Sequence, residues 1–185
     1  SGDVPLIAAD TLRALIAACA GQRLALLTID FADPTGYGRI VRGHAGWAGD
    51  DIAGAGDAAP VLAIVEQKDA TEAERQIHEV YSGIMAVPAR LLKGWLARLD
   101  NRNAQGEYYL TDVVKFAVAD GVPVVAHRID DALQVAGINS PLQLAELERE
   151  HQRRLARALM EQGVRLADPA RLDVRGTLQC GQDVD

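Results

Sequence analysis

Residues 24–42 read LALLTIDFADPTGYGRIVR, and this stretch decides the class of fold. The apolar run at residues 24–29 is short and bounded by polar residues, which is typical of a buried β-strand. The cluster DPTGYG at residues 33–38 predicts a turn, because it concentrates the residue types that turns prefer. Ile40 and Val41 then predict a second strand. The stretch therefore indicates strand, turn and strand within one hydrophobic sheet.

The chain on either side repeats this alternation. Strands are predicted at residues 61–65, 82–87 and 122–127, and helices at residues 10–20, 71–80, 88–99 and 110–119. Thr71 with Glu74 matches a capping box, and Thr111 is the expected cap of the last of these helices. Strands alternating with helices predict an α/β fold with a largely parallel or mixed sheet. Residues 43–60 are mostly Gly and Ala without a period, which predicts a flexible loop.

A different pattern begins at Ser140. Ser140 and Gln143 match a second capping box, and Pro141 suits the first helical position. A long charged helix is predicted from there to about residue 162, and it has the character of a connector between two domains. Residues 168–185, DPARLDVRGTLQCGQDVD, mix isolated apolar residues with Gly, Asp and Gln. This composition predicts short strands joined by turns.

Composition excludes several classes of protein. The chain has 185 residues, of which 49% are hydrophobic, so it can bury a core and is not a disordered tail. No apolar run reaches the roughly 18 residues that a membrane helix needs. A net charge of −7 and only 4% aromatic residues argue against a nucleic-acid partner. Cys19 and Cys180 form no CxxC motif, which favours a reducing cytosol over a disulfide framework.

Six segments, taken in order, resemble one known family. They are GDVPLI at 2–7, DPTGYGRIVR at 33–42, IVEQKDAT at 64–71, NAQGEYYLTD at 103–112, GINSPLQLAELE at 137–148 and DPARLDVRG at 168–176. Together they closely resemble the bifunctional bacterial N-acetylglucosamine-1-phosphate uridyltransferase / glucosamine-1-phosphate acetyltransferase. The resemblance implies the second half of a Rossmann-like nucleotidyltransferase domain over residues 1–141. It further implies a linker helix over 142–162 and the first turn of a left-handed β-helix, the acetyltransferase domain, over 163–185.

The resemblance also implies a function. The family makes UDP-N-acetylglucosamine from UTP and N-acetylglucosamine 1-phosphate with Mg²⁺, and acetylates glucosamine 1-phosphate with acetyl-CoA. These are cytoplasmic reactions that supply cell-wall and lipopolysaccharide precursors, and the family assembles as a homotrimer through its β-helix. The glycine-rich basic loop with which the family holds UTP is absent from these 185 residues. We therefore expect the chain alone to be inactive as a uridyltransferase.

Asp3 and Asn139 are the expected catalytic and metal-binding residues. The resemblance assigns them together to Mg²⁺, and it places Ser1, Gly2, Asp3 and Asn139 against the substrate. Mg²⁺ takes oxygen ligands and is commonly held by only one or two protein groups together with phosphate oxygens. The sequence alone favours a plainer interpretation, in which Asp3 and Asn139 are ordinary turn residues.

The expected sugar-binding residues are Gly38, Glu66, Tyr81 and Thr111. By resemblance, the main chain of Gly38 and the carboxylate of Glu66 contact the N-acetylglucosamine moiety, and Thr111 lines its pocket. From the residues alone, Gly38 is equally a hairpin turn, Glu66 a surface ion-pair partner of Lys68, and Thr111 a helix cap. Tyr81 stands where the family has Asn, which puts sugar selectivity in question.

A second class of function stays open at this point. The departure at Tyr81 and the missing UTP loop are also consistent with a non-catalytic fragment that binds a sugar nucleotide or serves in assembly. A glycine-rich loop with Lys and Arg upstream of Ser1 in the gene favours the enzyme, and its absence favours the binding fragment.

Overall fold

The computed structural model describes residues 2–43 and 59–184. The chain divides into two compact units. The first, here called the sheet unit, comprises Ile7–Ala132, and the second, the helix–tail unit, comprises Gly2–Leu6 with Leu133–Asp185. Ser1 and residues 44–58, which include most of the predicted Gly/Ala loop, lie outside the described residues. The domain boundaries predicted above remain a prediction.

The sheet unit contains a mixed five-stranded sheet. Its strands are β1 (Leu24–Asp30), β2 (Arg39–Arg42), β3 (Val61–Val65), β4 (Glu79–Ala86) and β5 (Val124–Ile129). They lie in the order β3-β2-β4-β1-β5. β1 and β5 are parallel, whereas β1–β4, β2–β4 and β2–β3 are antiparallel. The predicted α/β class with a mixed sheet is confirmed.

Helices cover this sheet. They are α1 (Ala9–Cys19), α2 (Glu72–Arg75), α3 (Ala89–Leu96) and α4 (Val113–Ala119), with short 3₁₀ turns at Leu110–Asp112 and Ala132–Val135. The core joins Leu24 and Leu26 of β1 to Trp95 of α3 and to Val113 and Val114 of α4. Of these five, the most exposed is Trp95, at 2%. Burial of this apolar surface is the main force that holds α3 and α4 on the sheet.

The helix predicted at 71–80 is too long. Its capping box is present, because the Thr71 side chain accepts from the Glu74 backbone and the Glu74 carboxylate accepts from the Thr71 backbone. The helix nevertheless ends at Arg75, since Glu79 and Val80 already belong to β4 and pair with β1. Pairing across the sheet thus overrides local helical propensity at these positions.

The helix–tail unit is built on one long helix, α5 (Pro141–Glu161). Ser140 caps it as predicted, accepting a hydrogen bond from the Gln143 backbone at 3.2 Å. The predicted capping box is displaced by one residue, because the Gln143 amide oxygen accepts from the Asn139 backbone instead. No helix in the described residues is both long and apolar enough to cross a membrane.

The described part of the tail, residues 163–184, contains no strand. The prediction of short strands is therefore wrong there, and a β-helix turn remains a prediction. The physical reason is that the tail backbone bonds to side chains of α5. Gln152 accepts from the Val174 N–H at 2.7 Å and donates to the Val174 carbonyl at 3.1 Å.

Candidate functional site

Three of the predicted sugar-binding residues form one row across neighbouring strands of the sheet unit. Arg39 pairs with Val65 on β3 and with Val80 on β4, so Gly38 stands between Glu66 and Tyr81. The Tyr81 backbone N–H donates to the Gly38 carbonyl at 2.9 Å, which extends the β2–β4 pairing by one residue. Residues directly opposite each other in a sheet point to the same face. Glu66 and Tyr81 therefore flank Gly38 on one surface.

Gly38 is required by close packing. A Cβ atom added there would lie 2.7 Å from Cγ2 of Ile64, and 3.5 and 3.6 Å from the two carboxylate oxygens of Glu66. The positive backbone angle of this turn belongs to Gly36, with a φ of 88°. Gly38 is thus used for its missing side chain, which leaves its backbone open to close approach.

Thr111 joins the same cluster. Its hydroxyl donates to Oε1 of Glu66 at 2.8 Å across 45 positions of sequence. The prediction that Thr111 is a helix cap is wrong, because the residue lies inside the 3₁₀ turn Leu110–Asp112 and makes no cap bond. The alternative in which Glu66 is a surface ion-pair partner of Lys68 is not supported either, because the Lys68 ammonium donates to the Gln105 amide oxygen at 2.7 Å. Thr111 fixes the rotamer of the Glu66 carboxylate.

The environment of Tyr81 keeps its hydroxyl protonated. Burial raises the pKa of the Tyr81 phenol above its ordinary value of 10.0, and the negative charge of Glu66 raises it further. Its ring is half-buried and packs against the hydrophobic core. A neutral phenol beside a carboxylate offers one hydrogen-bond donor to a ligand. Glu66 also lines a pocket of about 130 Å³ with Asn103, Tyr109 and Lys115.

A buried ionic cluster next to this row was not found from the sequence. The Glu79 carboxylate, 6% exposed, receives bonds from Arg42 Nε at 2.7 Å, Arg42 Nη2 at 2.8 Å and the Thr28 hydroxyl at 2.8 Å. Burial raises the pKa of Glu79, but the hydrogen bonds from Arg42 and Thr28 and the charges of Arg42 and Arg128 bring that pKa below its ordinary value of 4.5. The only sign of this cluster in the sequence is that charged residues stand beside the apolar residues of the predicted strands.

Asp3 and Asn139 belong to the helix–tail unit. The Asp3 carbonyl accepts a hydrogen bond from the Ile138 N–H at 2.8 Å, which brings the two predicted metal-binding segments side by side. Gly2, Asp3 and Asn139 are all exposed. The Asn139 N–H donates to the Gln143 side chain at 2.7 Å, so its backbone is fixed at the start of α5. Ser1, the other residue predicted here, is outside the described residues.

The donor set of this second cluster fits Mg²⁺. One carboxylate and one amide oxygen are hard ligands, and Mg²⁺ is typically held by few protein groups while substrate phosphates and water fill the rest. In the described ranges, no group of three or more His, Cys, Asp or Glu residues could hold a metal. A site of the two-ligand kind therefore leaves most of the coordination to water or phosphate oxygens.

The fold defines an α/β protein with a mixed five-stranded sheet, and each of its two units carries one cluster of the predicted site residues. No family model matches the chain. Three relatives are each called "Bifunctional protein GlmU". Those of Polaromonas sp. (strain JS666) and Polaromonas naphthalenivorans are each 72% identical over all 185 residues, and that of Herminiimonas arsenicoxydans is 54% identical over 183. The chain belongs to the bifunctional GlmU family, and it spans about 37% of the length of these relatives.

Proposed function

We propose that this chain supplies the sugar-binding and metal-binding residues of a uridyltransferase that makes UDP-N-acetylglucosamine from UTP and N-acetylglucosamine 1-phosphate. The observation that carries the proposal is the Glu66 carboxylate, held by Thr111 at 2.8 Å above a glycine that has no room for a side chain. Hydrogen-bond acceptors fixed in advance recognise sugar hydroxyls without the cost of ordering them on binding. The whole-chain likeness to GlmU proteins supports the same reaction.

Among the proposed sugar-binding residues of the sheet unit, each has a separate task. Glu66 accepts hydrogen bonds from sugar hydroxyls, and its second oxygen remains for the ligand because Thr111 occupies Oε1. The Gly38 backbone lies against the sugar, where a side chain would push the ligand away. Tyr81 donates from a neutral hydroxyl and limits the size of the group that fits beside it. The residue thus sets selectivity, because a site that hydrogen-bonds a substrate group rejects analogues lacking it.

In the helix–tail unit, Asp3 and Asn139 would hold Mg²⁺. The ion, when bound, neutralises charge on the phosphates as the transfer proceeds. Asp3 supplies the negatively charged ligand, and Asn139 supplies a neutral one whose position is fixed by the start of α5. Gly2, next to Asp3, lets the substrate approach the backbone, and Ser1 contributes a further substrate contact.

The reaction is an in-line displacement at phosphorus. A phosphate oxygen of N-acetylglucosamine 1-phosphate forms a bond to the α-phosphorus of UTP, and the bond from that phosphorus to the bridging oxygen breaks to release pyrophosphate. The attacking oxygen is already anionic, so no side chain has to remove a proton from it. The residues of this chain therefore act by orienting the sugar phosphate and by stabilising charge.

The remaining family properties are proposed for the polypeptide that the gene encodes. They are acetyl transfer from acetyl-CoA to glucosamine 1-phosphate by a β-helix domain, assembly as a homotrimer through that domain, and a cytoplasmic location. Residues 179–184, QCGQDV, supply the first hexapeptide of that β-helix. The alternative is a non-catalytic fragment that binds a sugar nucleotide or serves in assembly.

The test is Mg²⁺-dependent pyrophosphate release by the polypeptide that the gene encodes, with UTP and N-acetylglucosamine 1-phosphate as substrates. Asp3→Ala is expected to lower kcat about a hundredfold, since a lost charge-stabilising group typically costs that much. Glu66→Gln is expected to raise KM for the sugar phosphate about tenfold, because a neutral amide is a weaker acceptor than a carboxylate.

Glu72→Gln is the control, because Glu72 is an exposed carboxylate on α2 and belongs to neither cluster. It should leave both constants unchanged. The proposal fails if the folded wild-type protein releases no pyrophosphate, or if Asp3→Ala retains full activity. Binding of UDP-N-acetylglucosamine without turnover would support the alternative.

A further inference from the structure

Arg39 is a charged side chain that the site described above does not use. It lies on β2 directly after Gly38 and is only 1% exposed. Its Nη1 donates to the Tyr37 carbonyl and its Nη2 donates to the Gln67 amide oxygen at 2.6 Å. Both partners are neutral, and the buried Nε has no hydrogen-bond partner. Burying a guanidinium whose hydrogen-bond partners are neutral costs free energy, so its presence here needs an explanation.

The cost is visible in the electrostatics of the residue. Burial lowers the pKa of Arg39, and the negative charge of Asp33 opposes that effect only in part. Buried charges are normally paired with an opposite charge, because water is no longer there to solvate them. An apolar side chain of similar volume would avoid this cost. Arg39 therefore does something that an apolar residue cannot do.

The two arms of the guanidinium join two separate segments. Tyr37 belongs to the turn that leads into Gly38, and Gln67 directly follows Glu66. The Gln67 amide oxygen also accepts from the Gly36 N–H at 3.3 Å, so the turn is linked to Gln67 by both Arg39 and its own backbone. The planar guanidinium can serve two acceptors at fixed relative positions, which an ammonium group does poorly.

We propose that Arg39 is a positioning residue that fixes the turn at residues 33–38 against the segment at residues 66–70, so that Gly38 and Glu66 present one sugar-binding surface. The consequence for binding rests on the proposed function. The consequence for the two segments does not, because it concerns their order in the ligand-free protein.

Two measurements on the polypeptide that the gene encodes test these consequences. Arg39→Met is expected to speed hydrogen exchange in peptides covering 33–38 and 66–70. It is also expected to raise KM for N-acetylglucosamine 1-phosphate about tenfold, because misplaced binding groups lose much of their effect. KM for UTP should not change, which separates loss of positioning at the sugar from general loss of fold.

If Arg39→Met does not fold, substitutions at Gln67 test the same contact from its other side. Gln67→Leu removes the acceptor and should reproduce both effects. Gln67→Glu keeps an acceptor and adds a charge opposite Arg39, so it should retain the slow exchange and the low KM of the wild type. Arg90→Met is the matched control, since Arg90 also donates to a backbone carbonyl, that of Gly21, but at an exposed position.

The outcomes separate the two proposals. One outcome is that the variants exchange faster at both segments, while the wild-type protein shows no sugar binding. That outcome overturns the proposed function and retains the positioning role of Arg39. Unchanged exchange and unchanged KM in Arg39→Met and Gln67→Leu overturn the positioning role. Equal rises in KM for both substrates also overturn it, because they indicate a general structural effect.

Discussion

The sheet unit and the helix–tail unit both bury polar side chains, but they satisfy them differently. In the sheet unit, Glu79 is surrounded by donors from three other strands, and two of these donors are charged. In the helix–tail unit, the buried Gln152 is neutral and bonds mainly to the backbone of one tail residue, Val174. The sheet gathers opposite charges around one carboxylate, whereas on α5 one neutral amide bonds to both backbone groups of Val174.

The two units also differ in how well they bury their apolar side chains. The sheet unit buries a continuous aliphatic cluster that joins the strands to α3 and α4. The helix α5 leaves Leu142 and Leu144 68% and 53% exposed, and it buries Ala156 and Leu159. The tail therefore depends more on specific hydrogen bonds than the sheet does, and substitutions should reveal this difference.

The largest expected effect is at Glu79. Glu79→Gln leaves the partly buried Arg42 without the opposite charge of the buried Glu79, and breaking a buried pair of this kind costs about 3–5 kcal/mol of the free energy of unfolding. Urea denaturation followed by circular dichroism measures the change. Asp100→Asn is the control, because the Asp100–Arg102 pair is exposed and should contribute little.

The effect of Glu79 should also depend on pH. Its pKa in the folded protein lies below the ordinary value of 4.5, so its stabilising contribution is present above that value and is lost as the pH falls through the folded pKa. The stability difference between wild type and Glu79→Gln should accordingly shrink in acid. A difference that stays constant down to pH values well below 4.5 would contradict this account.

A smaller effect is expected at Gln152. Gln152→Ala leaves the N–H and C=O of Val174 without their partner, which costs about 1–3 kcal/mol where the groups stay buried. Hydrogen exchange should become faster at residues 172–176 and stay unchanged in β1 and β4. Glu146→Ala, an exposed position on the same helix, should change neither region. Equal acceleration in the sheet would mean that the two units do not differ as described.

The smallest effect is expected at the start of α2. Thr71→Ala removes the hydroxyl that accepts from the Glu74 N–H and donates to the Glu74 carboxylate, and it should lower the free energy of unfolding by about 1 kcal/mol. Thermal unfolding detects a change of this size, with Thr71→Ser as the control that keeps the hydroxyl. A loss as large as that of Glu79→Gln would show that this short helix supports the sheet more strongly than its exposure indicates.

The sequence predicted the elements that local patterns determine. The strands at 24–29 and 61–65, the Thr71 capping box and the start of the long helix at Ser140 follow from apolar spacing and turn chemistry within a few residues. The partners of buried polar groups were not predicted. Thr111 to Glu66 and Thr28 to Glu79 join residues 45 and 51 positions apart, and a local pattern contains no information about them.

For the site, too, the sequence predicted some features and missed others. Gly38 and Glu66 were singled out through the family resemblance, and their opposition across β2 and β3 follows from strand register. The fixing of Glu66 by Thr111, and the link from Arg39 to Gln67, depend on side chains meeting across the fold. Those contacts required the three-dimensional arrangement.

The missing side chain at Gly38 has a consequence for which substitutions the protein can accept during evolution. A methyl group at position 38 would strike Ile64, a residue that belongs to the hydrophobic core. Positions 38 and 64 can therefore not vary independently: a larger residue at one demands a smaller residue at the other. A larger residue at position 38 therefore requires a change at Ile64 in the interior, so the core restricts how the surface between Glu66 and Tyr81 can evolve.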